Sequence, residues 1–82
     1  MALSGILELD LHGMTKIQAR TAVDAKLRRA DRSVYRLRLI HGYRGGTELR
    51  DMIRAAYRGH PKVLRIELGM NPGETDLVLR EY

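Results

Sequence analysis

The chain has 82 residues, no cysteine and a formal net charge of +5 at pH 7. This length predicts a single domain over residues 1–82 with a small hydrophobic core. The lack of cysteine excludes a disulfide framework and a thiolate metal site. The sequence shows neither a signal-peptide pattern nor an apolar stretch long enough to cross a bilayer, so we expect a cytoplasmic protein that does not bind membranes.

The basic residues are mainly of one kind, since twelve of the fifteen are arginine. The planar guanidinium group of arginine matches the geometry of phosphate and forms paired hydrogen bonds with it. The surplus of positive charge therefore indicates a polyanionic partner, nucleic acid above all. A basic surface that only contacts solvent would have the same composition, and this alternative stays open.

The first half of the chain predicts a strand, a helix and a second strand. Ile6–His12 alternates apolar and polar residues, which is typical of a strand with one buried face. Thr15 and Gln18 have the spacing of a capping box, and the helix that they begin continues to about Ala30. The alternation resumes over Tyr35–Ile40, which is the second predicted strand.

The second half predicts a helix followed by two strands. Thr47 is a suitable N-cap for a helix with apolar residues at helical spacing, and Gly59 ends it. Val63–Leu68 is the third predicted strand. Asn71–Glu74 has the composition of a turn, and Asp76–Glu81 is the fourth predicted strand.

The element order β-α-β-α-β-β predicts an α/β fold of the α+β two-layer type. Because βαβ crossovers are right-handed, both helices should cover the same face of the sheet. Alternation in the strands agrees with one covered face and one open face. The residues expected to point toward the helices are Leu7, Leu9, Leu11, Leu37, Leu39, Leu64, Ile66 and Leu68. The residues expected on the open face are Glu8, Asp10, His12, Arg36, Arg38, Arg65 and Glu67.

Two histidines and a carboxylate follow the first two strands. Asp10 and His12 end the first strand and His41 ends the second, so parallel strands would bring them to the edge where such sheets bind ligands. Imidazoles can supply the acid and base for phosphodiester cleavage, while Asp10 can orient an imidazole, bind a metal ion or merely accept from backbone amides. We predict that Asp10, His12 and His41 are catalytic, with His41 as the main acid/base or phosphate contact. We interpret His60 as structural.

A glycine-rich loop leads from the second strand into the second helix. The free amides and the dipole of a helix N-terminus favour phosphate, and glycine lets the backbone approach a ligand closely. Tyr43 can stack on an unpaired base or fold back onto the domain, and the glycines can also serve only to shape the turn. The predicted phosphate or nucleic-acid contacts are Gly42, Tyr43, Arg44, Gly45, Gly46 and Arg50.

Two further sets of arginines can follow a phosphate backbone. One set is a stripe at helical spacing on the second helix, Arg50, Arg54 and Arg58. The other set lies on the open face of the sheet, Arg36, Arg38, Arg65 and Arg80. Either set can equally be a solvated surface, and neighbouring glutamates weaken the case for the sheet.

The motif residues resemble those of a known family. Leu9–Gly13 matches the Leu-Asp-x-His motif of Smr (small MutS-related) domains, and His41-Gly42 with the downstream Leu49-Arg50 resembles their second motif. Residues 71–75 lie where that family has a late glycine turn. The resemblance covers Ile6 to about Glu81. It implies the fold of the C-terminal domain of translation initiation factor three, with a mixed sheet of strand order 1-2-4-3.

The same resemblance implies a function. Smr domains occur at the C-terminus of bacterial MutS2 proteins and as short free-standing chains, and members cleave DNA or RNA. A bacterial endonuclease of DNA repair, recombination or RNA processing is therefore expected, with matching residues at Asp10, His12, His41 and Gly42. The chain departs from the pattern because Arg44 replaces a glycine in a loop one residue longer than usual. Arg44 either binds phosphate or obstructs cleavage.

Several alternatives stay open at this point. The domain can be a non-catalytic nucleic-acid-binding module that uses the same surface, or a docking domain for another protein. A choice between DNA and RNA, a requirement for Mg²⁺ or Mn²⁺, and a partner that supplies ATPase or clamp functions are not determined by these residues. The oligomeric state is also open, because the first and third strands would be sheet edges able to pair between chains.

Overall fold

The computed structural model describes residues 5–42, 46–69 and 71–81. It confirms the predicted order of elements and the mixed sheet, whose strand order is β1-β2-β4-β3. β1 is parallel to β2, and β4 is antiparallel to both of its neighbours. No helix in these ranges is both long and apolar enough to cross a membrane. The elements are β1 Ile6–Asp10, α1 Lys16–Arg29, β2 Arg36–Ile40, α2 Glu48–Tyr57, β3 Arg65–Leu68 and β4 Glu74–Val78.

The core lies between the two helices and the central strands. Leu37 and Leu39 of β2 and Leu77 of β4 are buried, as are the inward residues of both helices. The predicted helix-facing residues of β1 and β2 all belong to this core or pack against it. The prediction was wrong for Leu64 and Leu68, which are 55% and 72% exposed. Leu68 ends β3, which is the outermost strand. Leu64 precedes β3 and donates its backbone amide to the Val78 carbonyl at 2.8 Å, and its neighbour Val63 enters the core in its place.

The two helices begin differently. Thr15 caps α1 as predicted, because its hydroxyl accepts from the Gln18 amide at 3.1 Å while the Gln18 side chain accepts from the Thr15 amide at 3.0 Å. Thr47 precedes α2 but its side chain does not cap the helix, which corrects the prediction. Its φ of −114° and ψ of 10° lie outside the extended region that a capping residue normally adopts. Its hydroxyl donates instead to Asp51 at 2.9 Å.

All four strands have other bounds than those predicted, since β2 starts at Arg36 rather than Tyr35 and β3 at Arg65 rather than Val63. β1 ends at Asp10 rather than His12, because the His12 amide donates to the Asp10 carboxylate at 3.0 Å and turns the chain. β4 is Glu74–Val78 rather than 76–81. It starts early because the preceding turn closes tightly, with the Glu74 amide 3.1 Å from the Asn71 carbonyl. β4 ends at Val78 because its two partners at that position, Arg36 and Arg65, are the first residues of β2 and β3.

The open face of the sheet carries an ion-pair network centred on Asp76, whose side chain is only 3% exposed. Arg36 donates to this carboxylate at 2.7 Å and Arg38 at 3.2 Å. Arg36 also pairs with Glu67 at 2.9 Å, and Arg65 pairs with Glu67 at 2.7 Å. These bonds raise the pKa of both Arg36 and Arg38. Carboxylates therefore engage Arg36, Arg38 and Arg65, which favours the alternative that this face is not a phosphate-binding surface.

The two helices are joined through a buried tyrosine. The Tyr57 hydroxyl of α2 donates to the Asp24 carboxylate of α1 at 2.6 Å, and the Tyr57 side chain is 1% exposed. Burial, and then the bond to Asp24, raises the pKa of the Tyr57 phenol. Asp24 is the one acidic residue within α1, so this bond engages the only carboxylate that the helix has.

Candidate functional site

An open cleft of about 710 Å³ lies at the carboxyl ends of β1 and β2. The two strands are parallel neighbours, so the turns that follow them and the first turns of both helices meet at one edge. The volume falls within the range of small-ligand and cofactor sites, about 300–1,000 Å³. The residues that line the cleft are His12, Gly13, Met14, Thr15, Lys16, His41, Gly42, Gly46, Glu48 and Leu49.

His12 is the solvent-exposed imidazole of the cleft. Its backbone amide donates to the Asp10 carboxylate, which fixes the turn after β1. Asp10 itself is exposed and does not line the cleft, and no hydrogen bond joins it to an imidazole in the described ranges. Of the roles considered for Asp10, the structure shows acceptance from a neighbouring backbone amide. That contact holds the backbone of His12 in place.

His41 lines the same cleft but is only 6% exposed. Its Nδ1 is 2.8 Å from the Gly42 carbonyl, and its Nε2 is 2.9 Å from the Thr75 hydroxyl oxygen. A carbonyl can only accept, so Nδ1 carries a proton, and in the neutral ring Nε2 accepts from the Thr75 hydroxyl. Both ring nitrogens are therefore engaged within the protein. The ring joins the end of β2 to β4.

The late turn at residues 71–75 closes against the end of β2. The Gly73 carbonyl accepts from the backbone amides of His41 at 2.8 Å and Gly42 at 3.0 Å. The Gly42 amide is thus engaged and is not available to a phosphate. Gly42 has a φ of +77°, which favours glycine, and a Cβ at this position would lie 4.0 Å from the His12 ring. His12 and His41 consequently flank the same glycine.

The predicted phosphate loop is described only in part. Tyr43, Arg44 and Gly45 lie outside the described residues. Gly46 lines the cleft with a φ of +105° and lies two residues before the start of α2. Arg50 is half-buried outside the cleft lining, and its Nε donates to Asp51 at 3.2 Å. Within the described part, Gly42 and Gly46 therefore border the cleft and Arg50 does not.

The side chains considered as possible metal ligands do not come together. Within the described residues, no three histidine, aspartate or glutamate side chains form a group that could hold a metal ion. The set Asp10, His12 and His41 is separated because His41 turns toward β4 and Asp10 toward the backbone after β1. These residues do not fit Mg²⁺ or Mn²⁺ as a shared site, and no step below depends on such an ion.

Sequence reasoning missed two residues at this site. Lys16 is the first residue of α1 and lines the cleft. A cation at a helix N-terminus is unfavourable because it opposes the helix dipole, so a lysine at this position already indicated a functional residue. Thr75 is fully buried against His41. The only signal for it was its place in the late turn that the family resemblance identified.

Sequence reasoning also missed the most basic element, which is α1. The helix contains five basic residues and one acidic residue, and the acidic residue is held by Tyr57. None of the five forms an ion pair within the described parts of the chain, unlike the arginines of the sheet. Their charge is therefore directed to solvent or to a ligand. The five residues are Lys16, Arg20, Lys26, Arg28 and Arg29.

The sheet order, the cleft and the motif residues at its edge define a two-layer domain of the Smr type. Residues 9–75 match the family model described as Smr domain. The crystal structure of the Smr domain of Thermus thermophilus MutS2 matches with a TM-score of 0.82 and 34% identity, over 92% of this chain and 99% of that chain. No curated protein matches the sequence. The chain belongs to the Smr domain family.

Proposed function

We propose that this domain binds nucleic acid across the cleft and along α1, and that it cleaves a phosphodiester bond held beside His12. The observation that carries the proposal is one cleft lined by an exposed imidazole, a lysine and the first turns of two helices. Family membership supports it, because Smr domains are generally nucleic-acid-binding modules and are known for nicking endonuclease activity. Whether the substrate is DNA or RNA is an outcome of the test below.

Electrostatics supports phosphate as the ligand of the cleft. Helix N-termini attract anions through free amides and the helix dipole, and two of them border this cleft. The Gln18 amide of α1 is already bonded to Thr15 and the acidic Glu48 lies at the start of α2, so the first two amides of α1 offer the better anion site. Lys16 adds a full positive charge at the N-terminus of α1. Arg20 lies about one turn further along α1, and Arg28 lies roughly 18 Å from Lys16 at 1.5 Å per residue. A strand bound in the cleft can therefore continue along unpaired cations.

The two imidazoles suit different tasks. His12 is exposed in the cleft, so it can remove a proton from attacking water or give one to the leaving oxygen as the P–O bond breaks. Lys16 and the helix amides would stabilise the charge that develops on the phosphoryl oxygens. His41 has both nitrogens engaged, which favours a positioning role that holds Gly42 beside His12. This assignment replaces the expectation that His41 is the main acid/base.

The test is a cleavage assay on supercoiled plasmid, branched DNA and structured RNA, with EDTA, Mg²⁺ or Mn²⁺. We expect His12→Ala to lose about 100-fold or more in rate, the scale of general acid–base catalysis, while binding and circular dichroism stay unchanged. His60→Gln is the matched control, because His60 lies beside Tyr57 and away from the cleft, and it should cut at the wild-type rate.

His41 needs a different readout, because a buried residue can affect folding. His41→Ala should lower the midpoint of thermal unfolding as well as the cleavage rate, whereas Thr75→Ser should retain both by keeping the hydroxyl. Salt-sensitive binding with no cutting of any substrate would reject the nuclease and identify a non-catalytic binding module. Cutting that survives His12→Ala would reject the assigned role of His12.

A further inference from the structure

A second groove lies between α2 and the outermost strand β3, whereas the cleft lies at the ends of β1 and β2. Its volume of about 380 Å³ is at the small end of the range for ligand sites, about 300–1,000 Å³. Among the described residues, none lines both the groove and the cleft. A ligand of the groove would therefore be distinct from a ligand of the cleft.

Apolar side chains form one side of the groove. Ile66 pairs with Leu77 of the core, so it faces the helices, and Leu68 lies on the same face two residues later. Leu68 is exposed, and so is Leu64, which precedes β3 and also lines the groove. These leucines are two of the three large apolar side chains that the described residues expose. The helices thus leave an apolar strip uncovered where the sheet ends.

Two arginines form the other side of the groove. Arg54 belongs to α2 and Arg58 is its C-cap, so they lie one helical turn apart, about 6 Å along the axis. Neither arginine forms an ion pair within the described parts of the chain. Asp51, which lies one turn before Arg54, already bonds to Thr47 and Arg50. Both guanidinium groups are therefore available to a carboxylate from outside.

Arg54 also has a donor that lacks an acceptor. Its Nε is buried and has no hydrogen-bond partner within the protein. An unsatisfied buried donor is unfavourable, and native proteins pair nearly all such groups. No carboxylate lines the groove in the part of the chain that the structure describes. Arg65, the third cation of the lining, already pairs with Glu67 and Glu81. The groove therefore lacks an acceptor that a ligand can supply.

One kind of ligand matches both sides of the groove. An amphipathic helix has apolar residues at i, i+3, i+4 and i+7 and can carry acidic residues one turn apart beside them. Placed along α2, its apolar face would cover Leu64 and Leu68. Its carboxylates would then reach Arg54 and Arg58, and arginine can bond a carboxylate through two parallel hydrogen bonds. We propose that this groove docks an acidic amphipathic helix of a partner protein.

Two other occupants match the groove less well. A phosphate backbone would bond the arginines, but it has no apolar surface to cover Leu64 and Leu68. A second copy of this chain, related by a two-fold axis, would bring its own Arg54 and Arg58 to the same place. Like charges that meet across an interface oppose binding. Nucleic acid and self-association are therefore outcomes that the tests below must separate from the proposal.

The first test uses a labelled synthetic helix of about 16 residues, which spans roughly 24 Å. It has leucine along one face and glutamate on both flanks of that face. Fluorescence anisotropy should give a dissociation constant on the order of 10 µM. The matched control peptide has glutamine at every glutamate and should bind at least about tenfold more weakly, because it lacks the charged acceptors. Equal binding of the two peptides, or no binding at about 1 mM, would overturn the proposal.

Variants of the groove locate the binding site. Arg54→Gln and Arg58→Gln should each weaken binding of the acidic peptide about tenfold, and so should Leu68→Ser. Circular dichroism checks that each variant is folded. Two matched controls are on α1, where Arg28→Gln removes the same charge and Ile17→Ser removes another exposed apolar side chain. Both controls should bind the peptide like the wild type. If they weaken binding as much as the groove variants do, the site is not the groove.

Two measurements exclude the other occupants. Arg54→Gln and Arg58→Gln should bind duplex and single-stranded oligonucleotides like the wild type. An equal loss of oligonucleotide and peptide binding would assign the groove to nucleic acid and reject the proposal. Sedimentation velocity of the protein alone should show a monomer, and a dimer that Leu68→Ser abolishes would assign the groove to a second copy. The docking does not depend on the nuclease, so His12→Ala should bind the peptide like the wild type.

Discussion

The open face of the sheet and helix α1 are both rich in basic residues, but only α1 has its cations free of ion pairs among the described residues. On the sheet, Arg36, Arg38 and Arg65 are held by Asp76 and Glu67. On α1, the five basic residues have no such partners among the described residues, and the one aspartate serves Tyr57. The comparison teaches that the number of arginines on a surface does not give its available charge, and this is why we assign the proposed polyanion surface to α1.

The largest expected effect comes from removing the centre of the sheet network. Asp76→Asn keeps the shape of the side chain but leaves Arg36 and Arg38 without their shared carboxylate. Loss of one partner from a buried ion pair typically costs about 3 kcal/mol or more. We expect the free energy of unfolding in urea to fall by about 3 kcal/mol. A loss below about 0.5 kcal/mol would show that the network is only a surface feature.

A smaller effect is expected from the unpaired cations of α1. Replacing Arg20 and Arg28 together by alanine should weaken nucleic-acid binding about tenfold and lower the salt dependence by about one unit of slope per arginine. Unfolding free energy should change by no more than about 0.5 kcal/mol. Fluorescence anisotropy over a salt series measures the binding.

The control for the α1 variant is an arginine on the open face of the sheet. Arg65→Ala removes one positive charge, against two in the α1 variant, from an arginine that already pairs with Glu67 and Glu81. Affinity and salt slope should stay at their wild-type values. Equal weakening by the Arg65 variant would mean that both faces bind and that the distinction between them is wrong.

The smallest expected effect is a dependence of the free energy of unfolding on pH in the acid range. Hydrogen bonds from Arg65, and then from Arg36, lower the pKa of Glu67 below its usual value of 4.5. A carboxyl with a lowered pKa in the folded state stabilises the fold above the unfolded-state pKa and loses that contribution as pH falls through the folded-state value. The stability difference between wild type and Glu67→Gln should be constant near neutral pH and should shrink and vanish as the pH is lowered beyond 4.5. A difference that persists in strong acid would contradict this assignment.

The sequence predicted the local structure well where a single pattern decides it. The capping box of Thr15 and Gln18 set the start of α1, and alternation in β2 identified Leu37 and Leu39 as core residues. These features depend on neighbours within one element. The motif residues at two strand ends also predicted that His12 and His41 would share one edge.

The sequence could not predict contacts between distant residues. Asp76 meets Arg36 and His41 meets Thr75 across separations of 40 and 34 positions, and nothing in the local pattern names either partner. The exposure of Leu64 and Leu68 has the same origin. Alternation assigns each residue of a strand to one face of the sheet. How much of that face the helices cover depends on which strand lies at the edge of the sheet, and the local pattern does not give the strand order.

The position of β4 affects when the site can form. This strand follows all the other elements in the sequence but lies inside the sheet, and its Thr75 together with the preceding Gly73 secures His41 and Gly42. During synthesis, β1, both helices and β3 leave the ribosome before β4 does. A nascent chain therefore contains His12 and His41 before Gly73 and Thr75 are available to bond His41 and Gly42. The cleft can therefore take its final form only after β4 has joined the sheet between β2 and β3.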